Sequence, residues 1–364
     1  LALNYVSEYQ ERLSGILDVL NSKKVFIFVT NPLAMKKTLL KLCLGLLLPF
    51  CGMAQDPQFS QFYANPLYTN PAFAGASNNI RFTIIGRDQY TAVQRNYKTA
   101  AASFDAQVNS LSGGLGAMAT MDVSGDGFLT TNTFSGIYAY SAPLTRKITL
   151  RAAVQGSYYQ RSYDFNQFRF GDQIDDQYGF ILPTSEQRGL QQVNLLNFGT
   201  GVLVYSNRLY GGFAVHNLTE PNQSFYSPNS SDAAFKLPRR YTFHTGANIY
   251  LTNSRYEEQR IVFSPNILFM QQRNFNQLNL GFYVKKQALT AGLWFRQTSK
   301  NSDAAILLIG LKLPKFRVGY SYDITVSGAR TATQGSHELS LAFEIKPNKK
   351  PTKRTSKAMR CPEF

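Results

Sequence analysis

His216, His244 and His337 are the only side chains of this sequence suited both to bind a metal ion and to move a proton near neutral pH. They fall on three separate strand-like segments with no ligand spacing between them, so they read as polar strand or loop-edge residues, not a metal site. A hydrolase needs a nucleophile and a histidine beside an orienting group. His244 is the candidate base and could point inward, but no nucleophile-elbow sequence accompanies it. Residues 122–127, Asp-Val-Ser-Gly-Asp-Gly, resemble a calcium loop but lack the spacing and terminal Glu of an EF-hand. Asp172, Asp175 and Asp176 cluster in one long connection, where an acidic surface loop is the simpler explanation. Residues 111–116, Leu-Ser-Gly-Gly-Leu-Gly, suit a hairpin turn better than a phosphate cradle. Cys361 is the one cysteine left once Cys43 and Cys51 depart with the leader described below, which excludes an internal disulfide and a Cys-based zinc site. The expectation is no catalytic centre, no cofactor and no metal.

The elements that would position these residues are strands. From Ile80 to Ile345 the dominant period is two: Ile148, Leu150, Ala152 and Val154 alternate with Thr149, Arg151, Ala153 and Gln155, and Phe316, Val318, Tyr320 and Tyr322 with Arg317, Gly319, Ser321 and Asp323. Such alternation fits a half-solvated soluble sheet or a bilayer-spanning barrel. A chain with 21 Tyr and 27 Phe against one Trp can supply the aromatic girdles of the second. The expected fold is all-β, a transmembrane antiparallel barrel of about 14 strands. They are expected near 80–88, 97–107, 114–122, 129–140, 147–160, 191–205, 208–217, 240–251, 260–271, 276–285, 288–298, 304–313, 316–324 and 337–345. The three long connections, 161–189, 219–238 and 326–335, all fall in the series that faces outward when both chain ends are periplasmic. A barrel this wide needs something in its lumen: water, a ligand, inward Arg and Tyr side chains, or the segment that precedes the first strand.

That segment follows an export signal. Lys36, Lys37 and Lys41 form a basic region, residues 42–50 an apolar one, and Gly52-Met53-Ala54 a small-x-small cleavage site. The first Met is Met35, so residues 1–34 are read as an over-extended gene start. The organisation expected is 35–54 signal peptide, 55–79 plug-like N-terminal segment, 80–345 barrel and 346–364 basic periplasmic tail. The net charge is +16; losing the six basic and three acidic residues of 1–54 leaves +13, of which the tail carries +6. Export, with no finger or helix-turn-helix motif, excludes nucleic acid as the partner of that charge.

Residues 55–75, Gln-Asp-Pro-Gln-Phe-Ser-Gln-Phe-Tyr-Ala-Asn-Pro-Leu-Tyr-Thr-Asn-Pro-Ala-Phe-Ala-Gly, resemble the mature N-terminus of the PorP/SprF family. So do Gly86-Arg87-Asp88-Gln89-Tyr90, with Tyr90 in place of the usual Trp, and the stretches 237–241, 263–268, 319–325 and 335–338. The ending Cys361-Pro362-Glu363-Phe364 is similar to the family's Cys-Pro-Arg-Phe, with Glu363 removing a positive charge. The resemblance spans 55–364. It implies an outer-membrane protein of type IX secretion whose partners are outer-membrane lipid, a secreted substrate or adhesin held through its C-terminal domain, and periplasmic secretion or gliding components. The candidate partner-binding residues are Tyr163, Phe168, Tyr178, Phe225 and Tyr226 in the outward loops and Lys349, Lys350, Lys353 and Arg354 in the tail. Simple loop packing is the competing role for each loop aromatic. The rival functions are a passive outer-membrane channel for hydrophobic or small solutes and, more remotely, an outer-membrane lipase built on His244.

Overall fold

The computed structural model describes residues 56–346, except 78, 93–95, 126, 176, 187–188, 227–231, 233–234, 253–259, 300–301 and 327–333. The expected export signal, Asp126, Asp176 and the four tail cations lie outside the described residues. The chain divides into Leu1–Asp56 and Pro57–Phe364, and the architecture below belongs to the second unit.

Alternation of apolar and polar residues makes fourteen barrel strands: β1 Ile80–Gln89, β2 Tyr97–Val108, β3 Gly113–Ser124, β4 Leu129–Pro143, β5 Thr149–Tyr163, β6 Gln192–Tyr205 and β7 Leu209–His216, then β8 Arg240–Ala247, β9 Ile261–Gln272, β10 Phe275–Lys286, β11 Leu289–Thr298, β12 Ser302–Lys312, β13 Phe316–Thr325 and β14 Ser336–Ile345. Each pairs antiparallel with its chain neighbour. The sheet closes where β1 meets β14, in register from Ile80 opposite Ile345 to Gln89 opposite Ser336. Closure leaves no strand edge unpaired, which is what a strand-built span requires in lipid.

The two faces are inverted relative to a soluble sheet. On β1 the exposed residues are Ile80, Phe82 and Ile84, and the buried ones include Arg81, Thr83 and Arg87. On β14 Leu339 and Leu341 face out while Glu338 and Ser340 face in. Phe134, Val154, Leu196, Phe198 and Ile309 continue the outer apolar band. Water would not tolerate so much exposed hydrocarbon, and a bilayer favours it. Among the described residues no helix is long and apolar enough to cross a membrane, so the strands do the crossing.

Of the six connections at the end that holds both ends of the barrel chain, five are short, and the sixth, between β8 and β9, spans 248–260. One is a single 3₁₀ turn, Asn109–Leu111, closed by Ser112 at φ 49°; another turns at Gln287, φ 53°. The long connections between β5 and β6, β7 and β8, and β13 and β14 share the opposite, outward end.

Candidate functional site: the filled lumen and the outward rim

The segment before β1 has no strand period, and its prolines, Pro57, Pro66 and Pro71, forbid a continuous ladder. It forms instead a helical turn, Pro66–Thr69, and a 3₁₀ turn, Pro71–Phe73. Between them Asn70 uses its side chain twice: Oδ1 accepts from Ala72 N at 2.9 Å, and Nδ2 donates to the Val202 carbonyl at 3.0 Å. Gly201 makes room for this, since a Cβ there would overlap Asn70 Oδ1. Leu67, Ala72, Phe73 and Ala74 are fully enclosed by the wall. Phe62 meets Trp294 edge-on at 4.6 Å, and Tyr63 meets Tyr283 and Tyr210 at 5.8 and 6.1 Å. The segment lies against the inward faces of the strands, within the bore, and is called the plug below.

Its direction follows from what it touches. Ser60 and Gln61 lie among Arg87, Arg296, Asp323 and Glu338, side chains near the outward ends of β1, β11, β13 and β14. Gly75 donates its N–H to Asp105 Oδ2 at 2.8 Å, near the periplasmic end of β2. There Gly75 adopts φ +71°, with Ala106 O and Gly114 Cα each 2.8 Å from where a Cβ would stand, so only glycine turns the chain into β1. The chain therefore descends the lumen from the outward mouth to the periplasmic one.

The outward cluster is a buried charge network. Glu338 accepts the backbone N–H groups of Ser60 and Gln61, both at 2.7 Å. Ser60 Oγ donates to Asp323 Oδ2 at 2.6 Å. Arg87 bridges Asp323 at 2.9 Å and Glu338 at 3.1 Å, and Arg296 reaches Asp323 at 3.1 Å. Arg240, at the outward start of β8, donates to the Tyr68 hydroxyl at 2.9 Å and covers its ring at 4.6 Å. Arg151 donates to the carbonyls of Ala72 and Ala74. Every cation here is hydrogen-bonded, the condition under which burial is tolerated.

Two of the histidines serve this packing. His244 points inward, with Nε2 3.0 Å from Asn70 Nδ2 and its ring 5.1 Å from Phe73. His216 contacts the Thr69 carbonyl at 3.4 Å. His337 is on the outer face beside the Tyr320 hydroxyl at 2.8 Å. Among the described residues no three His, Cys, Asp or Glu side chains converge as a metal site would. Asp122 accepts from Thr99 at 2.6 Å. Asp172 binds the Ser185 N–H at 2.6 Å and the Thr184 and Ser185 hydroxyls at 3.0 Å. The Ser185 N–H foremost holds its carboxyl below the usual value, although the group is open to water.

The five loop aromatics separate into two groups. Tyr163, 9% exposed, packs edge-on against Phe225 at 4.6 Å and against Phe168 at 5.7 Å. Phe168 also meets Phe128 at 4.4 Å and stacks on Phe170 at 5.7 Å. These three form a cluster that ties the two longest loops together, helped by Leu190 N donating to the Phe225 carbonyl at 2.8 Å. Tyr178 and Tyr226 are 73% and 66% exposed. Tyr178 lies at the turn of a small hairpin, Ile174–Asp175 with Gly179–Phe180, whose Ile174, Phe180, Ile181 and Leu182 are exposed too. Those apolar neighbours escaped sequence reasoning because they carry no periodic signal. The lumen cluster left one: Arg87, Asp323 and Glu338 stand on the polar face of otherwise apolar strands.

The family described as type IX secretion system membrane protein PorP/SprF matches residues 52–343. The chain belongs to that family. No curated protein matches it. Among solved structures it is similar to the Ralstonia pickettii toluene transporter TbuX, with 10% identity and a TM-score of 0.43 over 76% of this chain and 92% of that one. The Pseudomonas putida toluene transporter TodX gives 9%, 0.43, 81% and 96% in the same order. A Pseudomonas aeruginosa FadL homologue gives 13%, 0.39, 77% and 94%. Likeness at this level carries no argument about what passes through a barrel. PorP/SprF membership and the closed fourteen-stranded wall make this an outer-membrane component of type IX secretion. Four stretches by which the sequence resembles PorP/SprF meet in space: Ser60-Gln61, Arg87, Asp323 and Glu338 come from 55–75, 86–90, 319–325 and 335–338.

Proposed function

We propose that this PorP/SprF barrel serves type IX secretion by binding. Its outward loops hold a secreted substrate or adhesin through that partner's C-terminal domain, and its basic tail (Lys349, Lys350, Lys353 and Arg354) meets periplasmic secretion or gliding components. The observation that carries this reading is the filled lumen: with Phe62, Leu67 and Phe73 buried in the bore, the resting barrel offers its rims to partners. The outward rim has anchors to offer. Tyr178 and Tyr226, with Ile174, Phe180, Ile181 and Leu182, form exposed apolar surface in loops that face water, the mark of an interaction site. Tyr163, Phe168 and Phe225 hold those loops in shape behind the anchors. The filled lumen weighs against a passive channel, and the contacts of His244 with Asn70 and Phe73 weigh against a lipase.

The test is affinity capture of tagged barrel from gently solubilised outer membranes, with mass spectrometry of what accompanies it. Recovery of a large secreted protein, lost in a Tyr178→Ala/Tyr226→Ala variant, supports the reading. Recovery of periplasmic components, lost when the tail lysines are replaced, supports the second half. Folded barrel recovered alone overturns both.

A further inference from the structure

The bore has a property that holding a partner does not require. Much of its wall is polar: Thr83, Ser103, Thr120, Gln155, Asn279 and Ser321 are all buried and inward-facing. Apolar wall side chains, among them Met118, Ile137, Leu203, Leu268, Trp294 and Ile306, cluster with Phe62, Leu67 and Phe73 of the plug. The deeply buried charged residues described are Arg81, Arg87, Arg151, Arg240 and Arg296 against Asp105, Asp323 and Glu338.

The charges are also wired so that the wall outlives the plug. Arg81 pairs with Asp105 at 2.8 Å, Arg87 with Asp323 at 2.9 Å and with Glu338 at 3.1 Å, and Arg296 with Asp323 at 3.1 Å. All four pairs run from strand to strand and persist if the plug is absent. Besides apolar and ring contacts such as Phe62 on Trp294, the plug takes from the wall hydrogen bonds that water can replace, as from Ser60 Oγ to Asp323 and from Arg151 to the Ala72 carbonyl. The plug is joined to the barrel covalently only at its periplasmic end, where Gly75 turns it into β1.

We propose that the lumen is an aqueous conduit for small inorganic anions, closed by the chain's own segment Pro57–Gly75 and opened by drawing that segment off the wall. Five arginines against three carboxylates leave the bore net positive, and lumen charge of one sign selects the opposite ion. The inference goes beyond partner binding and stands or falls separately from it.

The experiment is planar-bilayer conductance in a potassium chloride gradient. The full chain is expected to be silent, and a variant lacking residues 57–74 to conduct steadily, with a reversal potential displaced toward chloride. Adding Arg151→Glu and Arg240→Glu to the deletion reverses the balance of buried charge and should turn the preference to potassium. A heat-dependent gel shift on the same sample reports whether the barrel is folded. Should the deletion fail to fold, full-length Phe62→Ala/Phe73→Ala/Glu338→Ala supplies the readout, with brief openings of the same anion preference expected. A folded deletion variant that is silent or prefers potassium overturns the proposal, as does a folded triple variant that never opens.

Discussion

Replacing Glu338 by alanine isolates the contact that seats the outward end of the plug. Its carboxylate accepts the N–H groups of Ser60 and Gln61 at 2.7 Å each and the Arg87 guanidinium at 3.1 Å. Loss of the pair with Arg87 weakens the wall whether or not the plug is seated, so it does not enter the seating energy. Two backbone donors left without an acceptor cost about 1–3 kcal/mol each where water does not reach them. Water entering from the outward mouth offsets part of this, so about 2–4 kcal/mol is the working figure for unseating. Each 1.4 kcal/mol or so is tenfold in an equilibrium. Hydrogen-exchange protection of the Ser60 and Gln61 amides should therefore fall by about 30- to 10³-fold in detergent-solubilised protein. The Ile84 amide, inside the β1 ladder, should not change. Glu338→Gln keeps an acceptor and the volume, and its loss should be smaller, about 1–3 kcal/mol. Protection within tenfold of wild type in a folded Glu338→Ala barrel would refute the seating role.

Gly201→Val drives a side chain into Asn70 and should unseat the middle of the plug by about 1–3 kcal/mol, seen as protease nicking between Thr69 and Phe73. Gly86→Val, on the lipid face with nothing within 4 Å of its Cβ, is the matched control and should behave as wild type. Tyr178→Ala and Tyr226→Ala should each weaken partner capture by about 2 kcal/mol without lowering the melting temperature. Tyr163→Ala should instead loosen the loop cluster by about 3 kcal/mol, visible as faster proteolysis of the β5–β6 loop. Asp172 titrates below its ordinary value of 3.8, so its tie to Ser185 is fully present above that pH and is lost as pH falls through the depressed value. Exchange of the Ser185 amide followed from neutral pH downward checks this, and loss of protection already at about pH 5–6 would show that the carboxylate is not what holds it.

The strands were legible because their period of two is forced by lipid on one side and a polar bore on the other. The seam of β1 with β14 follows once the count is even and both ends share one side. The structure lengthens several strands: β4 runs to Pro143 and β5 to Tyr163, past the expected residues 140 and 160. Those extensions lie past opposite edges of the apolar band, that of β4 on the periplasmic side and that of β5 on the outward side, where hydropathy no longer marks them. The prolines of the segment before β1 were legible as a break in strand period, but its path was not. Asn70 finds Val202, and Ser60 finds Glu338 some 278 residues away, through side-chain contacts with no local pattern. Of the loop aromatics, Tyr163 and Tyr178 are indistinguishable as sequence. Only the tertiary meeting with Phe225 and Phe168 assigns the first to packing and leaves the second on the surface.

The position of Glu338 also bears on how the molecule is made. It belongs to the last strand, yet it clasps residues that precede the first. Zipping β14 onto β1 and fastening Ser60 and Gln61 are thus one event, completed only when the end of the barrel chain arrives. Contacts this distant in sequence form slowly. A chain made without the early segment would have to close over an empty bore.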